Sequence, residues 1–236
     1  MYTFDSRIRY SEVDAEGHLD INAIIDYMQD CTNFHSEDLG VGLAWHKEKR
    51  LMWVLNSWQI IIDQYPKMGE HITVGTQSYG CEKMFGHRNF LITDAKGNRV
   101  AIANSLWVLM DLKKMRPMIV TPEIAEPYGA YEPLEMDYAP RKISLPGEGE
   151  PKEAIVVKEY HLDTNHHVNN GWYVRIARDY LPDNAVIKEL RVEYKKQAML
   201  GDEMIPYIYE ISDTERIVSL KDTKGHVIST VQFFMV

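Results

Sequence analysis

Three polar residues in the second half of the chain have types and spacing suited to acid–base chemistry and to stabilisation of an oxyanion. Asp163, Asn165 and His167 alternate along five residues. In an extended segment such residues project from one face, so the pattern predicts that the three side chains converge. Asn169 and Asn170, both good N-cap types, predict that a helix begins directly afterwards. The free N–H groups of a helix N-terminus can hold a developing oxyanion.

The same triplet has a purely structural interpretation. Asp163 and Asn165 are common turn formers, and His167 could be a hydrogen-bonded core histidine. The motif recurs in part, however, because Asp14 and His18 stand 149 residues before Asp163 and His167. Both copies precede a helix-like stretch, and this repetition favours the functional interpretation.

Glu193 is the candidate base of the same site. It lies in a strand-like segment, residues 190–195, where Arg191 and Lys195 would share its face. These neighbours leave open a solvated stripe of salt bridges. In a cleft with His167, the Glu193 carboxylate could instead hold or deprotonate a water molecule.

Other reactive combinations have weaker support in the sequence. Cys31 and His35 are spaced like a thiol and its base, but a lone cysteine on an apolar helix stripe usually packs. His161, His166 and His167 lack the partners and spacing of a metal site. No glycine-rich loop follows a strand, as a nucleotide site would need. We therefore expect neither a metal nor a nucleotide cofactor.

The elements around the motif occur twice along the chain. After each copy, apolar residues recur at three-to-four spacing, which predicts buried helices ending near Gly40 and Pro182. Strand-like segments 57–63 and 189–195 follow at an offset of 132 residues, since the first copy carries 17 extra residues after its helix. Hairpin-turn sequences at 94–97 and 222–225 then match at an offset of 128.

This order predicts an α+β fold made of two similar units. Each unit would be an antiparallel sheet wrapped around one long helix. Seven of the ten prolines fall between Pro117 and Pro151, which predicts a stiff extended linker. The expected domains are residues 1–115, a proline-rich linker at 116–149, and residues 150–236.

Composition limits the classes of function. The net charge of −9 argues against a nucleic-acid partner. Two cysteines, Cys31 and Cys81, do not make a disulfide framework, and the charged N-terminus does not read as a signal peptide. No apolar run is long enough to span a membrane. We therefore expect a cytoplasmic globular protein.

Two segments carry a resemblance to a known family. Residues 163–170, DTNHHVNN, resemble the D-x-N-x-H-V-N-N segment of the acyl carrier protein thioesterases of plants and bacteria. Residues 105–116, SLWVLMDLKKMR, resemble that family's S-x-W-V-x-M-N segment and the basic residues after it. Two positions depart from the family pattern: Tyr194 stands where a cysteine often follows the glutamate, and Asp111 replaces the usual asparagine.

The resemblance implies a tandem double hot-dog fold and a water-dependent hydrolase. Asp163 and His167 would orient and polarise Asn165, which helps to hold the thioester, while Glu193 would activate the attacking water. The departure at Tyr194 disfavours a thiol nucleophile and leaves the water route intact.

The expected reaction is hydrolysis of fatty acyl-acyl carrier protein to free fatty acid and carrier protein, in fatty acid biosynthesis. Lys113, Lys114 and Arg116 would form part of a basic patch for the acidic carrier, although a merely solvated run of charges is the alternative. The alternative functions are an acyl-CoA thioesterase, a hot-dog hydratase or dehydratase, and a non-catalytic acyl-binding protein. Both a monomer and a homodimer are compatible with two fused units.

The two copies are expected to have different roles. Glu16 matches Asn165, and an ionised carboxylate cannot donate a hydrogen bond. Ile61 matches Glu193 and lies within an isoleucine run, so the first copy offers no base. Chemistry is therefore expected in the second copy and accommodation of the acyl chain in the first.

Overall fold

The structure, a computed structural model, describes all 236 residues and divides them into two compact units. The first unit comprises Met1–Asn56 and Ile60–Tyr138, and the second comprises Ser57–Gln59 and Ala139–Val236. Each unit contains its own antiparallel strands and its own helix, which follows the repeated motif.

The first unit is a sheet with a long helix packed on one face. Helix α1 (Ile21–Asp38) begins where the Asp20 side chain accepts a hydrogen bond from the Asn22 backbone N–H, and it packs against β3. The helix α2 (Leu43–Lys49) follows, within the 17 extra residues. The order across the sheet is β1-β3-β4-β5-β2, with β6 paired to β5. In chain order the strands are β1 (Tyr2–Arg7), β2 (Leu51–Ile62), β3 (His71–Glu82), β4 (Phe85–Asp94), β5 (Arg99–Asp111) and β6 (Arg116–Pro117).

The second unit repeats this arrangement with shorter elements. Before it in the chain, the single-turn helix α3 (Pro122–Ala125) still belongs to the first unit. Helix α4 (Asn170–Arg178) contacts two strands, β11 and β12. The order across the sheet is β9-β12-β11-β10-β7, with β8 paired to β10. The strands are β7 (Glu150–Pro151), β8 (Ile155–Val156), β9 (Ile187–Tyr194), β10 (Glu203–Ser212), β11 (Glu215–Lys221) and β12 (Val227–Met235).

The predicted α+β class, the two helices and the matched strands are confirmed. The matched hairpin turns are also identical in detail: Asp94 and Asp222 each accept two backbone N–H groups, and Gly97 and Gly225 both have φ of 82°. One feature differs from the expectation, because α4 has nine residues against eighteen in α1. Pro182 limits the length of the second helix, because the helical conformation is disfavoured for the residue that precedes a proline.

The proline-rich segment lies against the sheets. In the first unit, the Leu134 N–H and the Tyr138 hydroxyl both donate to Asn89 Oδ1 at 3.0 Å. In the second unit, Ile143 is buried in a small apolar cluster with Tyr209. Residues 116–138 thus belong to the first compact unit and 139–149 to the second. The domain limits inferred from the sequence stay a proposal.

No helix has both the length and the apolar character needed to cross a membrane.

Candidate active site

A tight loop carries the three candidate residues of the second unit. Leu162 and Val168 form an isolated antiparallel bridge that closes it. Inside the loop, the Asp163 N–H donates to the His167 carbonyl at 2.8 Å, and the His166 N–H donates to the Asp163 carbonyl at 3.1 Å. His166 has a φ of 62°, the left-handed region that reverses the chain. The expectation of an extended segment at 163–167 was therefore wrong.

The Asp163 carboxylate holds this loop in shape. Its Oδ1 accepts hydrogen bonds from the backbone N–H groups of Asn165, at 2.8 Å, and His167, at 3.3 Å. An aspartate that bonds its own backbone two residues on is a standard turn former. The turn brings Asp163, Asn165 and His167 together within five residues, with Asn165 exposed and His167 half-buried.

The first unit contains the same loop. Asp14 Oδ1 accepts from the backbone N–H groups of Glu16, at 3.0 Å, and His18, at 2.9 Å. The left-handed position is Gly17, with φ of 79°. Glu16 stands where the second loop has Asn165, so the two loops share a backbone but differ in the group at the tip.

Helix α4 begins directly after the second loop, as predicted. The Asn169 side chain accepts a hydrogen bond from the Gly171 N–H at 2.9 Å and is the N-cap. The first N–H groups of a helix have no acceptors within the helix and carry a partial positive charge. The loop therefore meets the positive end of α4, which suits stabilisation of an oxyanion.

A segment that follows β9, Ala198 and Met199, lies beside the loop. The sequence pattern did not reveal this contact. The Val168 N–H donates to the Ala198 carbonyl at 3.0 Å, and His167 bridges to Met199. The Ala198 N–H in turn donates to the Tyr173 hydroxyl of α4 at 3.1 Å. The flanking segment is thus joined to the loop by a backbone hydrogen bond and to the helix by the Tyr173 hydroxyl.

The repeat offset was the signal that could have located this segment. In the first unit the Leu19 N–H donates to the Pro66 carbonyl at 2.7 Å, and His18 bridges to Lys67. Pro66 precedes Ala198 by 132 residues, which is the offset of the two strand-like segments.

Glu193 is buried and engaged elsewhere. It is 9 % exposed, and its Oε2 accepts a hydrogen bond from the Ile143 N–H at 3.2 Å. The Lys195 Nζ lies 3.5 Å from the same oxygen. Arg191 does not pair with Glu193; its guanidinium donates to Gln232 Oε1 at 2.8 Å. The surroundings of Glu193 are therefore not a solvated stripe of salt bridges.

Glu193 and its neighbour Tyr194 project to opposite faces of β9. The adjacent Tyr194 points to α4, where its hydroxyl donates to the Asn170 carbonyl at 3.1 Å and its ring contacts Tyr173. Neighbouring side chains on a strand face opposite sides, so Glu193 faces away from α4 and towards residue Ile143. Asp163, Asn165 and His167 share one short loop, while the contacts of the Glu193 carboxylate are with Ile143 and Lys195. Its role as a base stays a prediction.

Cys31 and His35 do not form a thiol–imidazole pair. The Cys31 Sγ donates to the Val74 carbonyl at 3.5 Å, and burial raises the pKa of this thiol to about 12. His35 Nδ1 lies 3.1 Å from the guanidinium of Arg88. Burial, followed by the positive charge of Arg88, lowers the pKa of His35 to about 4. The expectation that Cys31 is a packing residue agrees with this geometry.

Comparison with known proteins gives one consistent result. Residues 1–128 match the acyl-ACP thioesterase N-terminal domain family, and residues 147–231 match the acyl-ACP thioesterase C-terminal domain family. The chloroplastic palmitoyl-acyl carrier protein thioesterase of Arabidopsis thaliana is 27% identical over 210 residues, covering 80% of this chain and 50% of its own. The corresponding protein of Gossypium hirsutum is 26% identical, covering 90% and 56%. The chain thus spans about half the length of these relatives.

Solved structures agree with the fold. An acyl-ACP thioesterase from Bacteroides thetaiotaomicron superimposes with a TM-score of 0.90 at 25% identity, covering 99% of this chain and 97% of the other. The 12:0-ACP thioesterase from Umbellularia californica gives 0.87 at 20% identity, covering 100% and 96%. These likenesses confirm the tandem double hot-dog fold.

Proposed function

Because the chain belongs to the acyl-ACP thioesterase family, we propose that it hydrolyses fatty acyl-acyl carrier protein to free fatty acid and carrier protein. The observation that carries the proposal is the loop at 162–168. It presents an exposed amide, Asn165, and a half-buried imidazole, His167, at the positive end of a helix. A hydrolase of this kind requires neither a metal nor a nucleotide.

The loop can supply the two things that thioester hydrolysis needs. Water attacks the carbonyl carbon, the carbonyl oxygen becomes an oxyanion, and the thiolate leaves and takes up a proton. The Asn165 amide and the first N–H groups of α4 can donate hydrogen bonds to the oxyanion. Asp163 fixes the loop through two backbone N–H groups.

The proton of the attacking water needs an acceptor. Glu193 is the acceptor predicted from the sequence, but its carboxylate is held by the Ile143 N–H and Lys195. His167 lies in the loop itself, and an imidazole is the side chain that most often acts as a general base. The placement of these two residues therefore favours His167.

We assign the reaction to the second unit and accommodation of the acyl chain to the first. The proline-rich linker separates the two in the sequence. The first loop has Glu16 at its tip in place of Asn165, so it lacks the amide donor. Ile24, Ile25 and Met28 of α1 give the first unit an apolar interior on the helix side of its sheet. Transfer of a fatty tail from water into an apolar interior gains about 0.8 kcal/mol per methylene.

The proposed partner is acyl carrier protein, which is acidic. Lys113 and Lys114 are exposed on the turn between β5 and β6, and Arg116, also exposed, is the first residue of β6. Asp111 Oδ1 accepts from the N–H groups of Lys113 and Lys114 at 2.9 and 3.0 Å, and this fixes the turn. A local basic surface lowers the repulsion between two acidic proteins and raises the rate of encounter. The proposal also includes a cytoplasmic location, which two unpaired cysteines support.

The test is a hydrolysis panel with acyl carrier protein and CoA thioesters of C8 to C18 chains. Release of free thiol is measured for the wild type and for Asn165→Ala. We expect the wild type to hydrolyse carrier-bound substrates and Asn165→Ala to lose most of this activity. Faster turnover of the CoA series would identify an acyl-CoA thioesterase instead. Tight binding with no turnover of either series would identify a non-catalytic acyl-binding protein.

A further inference from the structure

Four side chains form an aromatic and cationic surface beside the loop of the second unit. We call this surface the Trp172 cluster; it consists of Tyr160, His161, Trp172 and Arg175. The ring of Trp172 lies 5.6 Å from that of Tyr160 and 4.8 Å from that of His161. The Arg175 guanidinium lies over the indole at 4.6 Å. The surface therefore combines large apolar faces with a positive charge.

The cluster is continuous with the candidate site and is exposed at Tyr160 and Arg175, whereas Trp172 is half-buried and His161 is buried. Its His161 carbonyl accepts the N–H of Asn169, the N-cap of α4, at 2.9 Å. The Tyr160 side chain is 62% exposed, and Arg175 is exposed as well. If a ligand is held at the loop, any part of it that extends past His161 can therefore contact the cluster.

The first unit lacks such a surface at the matching positions. At the offset of 149 residues, Tyr160, His161, Trp172 and Arg175 correspond to Ser11, Glu12, Ala23 and Asp26. The loops share a backbone, so the fold alone does not require the aromatic residues. The replacement of Asp26 by Arg175 also reverses the sign of one charge.

A second cation completes this reversal. In the first unit Arg9 pairs with Glu12, whose Oε1 lies 3.4 Å from the guanidinium. The matching residues are Lys158 and His161, and His161 Nδ1 accepts the Lys158 backbone N–H at 3.0 Å. Burial and then the charge of Lys158 lower the pKa of His161. Position 161 therefore has no carboxylate corresponding to Glu12, which pairs with the cation in the first unit.

We propose that the Trp172 cluster binds the phosphopantetheine arm that carries the thioester, an inference that rests on the proposed function. Both carrier protein and CoA attach the acyl group through this arm, which has an apolar dimethyl group and ends in a phosphate. The rings of Tyr160 and Trp172 suit the apolar part. The exposed guanidinium of Arg175 suits the phosphate, which forms charge-assisted hydrogen bonds with such groups. The first unit, without the cluster, would not bind the arm.

The experiment uses residues of the first unit as replacements, Tyr160→Ser and Arg175→Asp. The substrates are one acyl chain on N-acetylcysteamine, pantetheine, phosphopantetheine, CoA and acyl carrier protein. We expect Arg175→Asp to lower kcat/KM roughly tenfold for the three phosphate-bearing carriers, the effect of one lost charge-assisted hydrogen bond. Tyr160→Ser should act from pantetheine onward. Neither should alter turnover of the N-acetylcysteamine thioester. Lys224→Asp, the same charge change on the exposed 222–225 turn, is the control.

Three outcomes would overturn the proposal. An equal loss on all substrates would show that the cluster only supports the fold. A loss confined to CoA would point to its nucleotide, and a loss confined to carrier protein would point to a protein contact. Direct binding of phosphopantetheine to the wild type and to Arg175→Asp, followed by tryptophan fluorescence, tests the site without turnover. Binding that is weakened in the variant would support the cluster even if no thioester were hydrolysed, and equal binding would refute it.

Discussion

The backbone N–H of Ile143 donates a hydrogen bond to Glu193 Oε2 at 3.2 Å, across 50 residues of sequence. Ile143 is buried against Tyr209 and Ile217, so this bond attaches the proline-rich segment to the sheet of the second unit. The Glu193 carboxylate accepts the Ile143 N–H and lies 3.5 Å from the Lys195 ammonium through the same oxygen. These contacts indicate that Glu193 holds the segment in place.

We expect Glu193→Gln to retain most of the turnover, because glutamine can still accept the Ile143 N–H. Glu193→Ala should leave that N–H unsatisfied and lower the free energy of unfolding by roughly 1–3 kcal/mol. Urea unfolding and kcat for carrier-bound substrate are the measurements. If both variants lower kcat by about 10²–10⁴ while remaining as stable as the wild type, Glu193 is the general base.

Asn165→Ala should lower kcat by roughly 10²–10³, the usual effect of losing one oxyanion donor. The side chain is exposed, so the melting temperature should not change. Glu16→Ala is the matched control, since Glu16 occupies the same position in the first loop. Comparable losses from the two variants would contradict the assignment of the chemistry to the second unit.

Local patterns in the sequence predicted the paired elements but not the shape of the loop. Helix spacing and aspartate–glycine turns depend on neighbouring residues, and these features recurred in the same order in both copies. The reversal at His166 was missed because a left-handed histidine is uncommon, although Gly17 marks the same position in the first copy. The partner of Glu193 was missed for a different reason. Ile143 lies in a segment without periodicity, and only the folded chain brings the two together.

The basic turn gives a prediction about the partner. Changing Lys113, Lys114 and Arg116 together to glutamate should raise KM for carrier-bound substrate, because two acidic surfaces would then repel each other. Short acyl-CoA substrates should be little affected. The measurement is KM for both series at low and high salt, since screening should reduce the difference. Equal effects on both series would argue against docking at this turn.

His35 predicts a loss of stability in acid. Its pKa in the folded protein is lowered to about 4, first by burial and then by the charge of Arg88, from an ordinary value of 6.5. Between these values the unfolded chain binds a proton that the folded chain does not, so the free energy of unfolding falls as pH drops from about 6.5 to about 4.

His35→Gln removes this group and should flatten that part of the profile relative to the wild type. Urea unfolding at intervals between pH 7 and pH 4 measures the difference. Parallel profiles for the two proteins would show that His35 does not titrate between these limits.

The last prediction separates the roles of the two loops through His18 and His167. Both residues follow an aspartate that bonds their backbone N–H, so their local geometry is the same. They differ in what surrounds them: His167 shares its loop with the amide of Asn165, whereas His18 shares its loop with the carboxylate of Glu16. His167→Ala should therefore abolish most turnover at every chain length. His18→Ala should leave much of it and shift the preferred chain length, since the first unit is assigned to the acyl tail. The measurement is kcat/KM across the C8 to C18 carrier-bound series. Similar losses from both variants, with no change in preference, would show that the first unit contains a working site and that the roles are not divided.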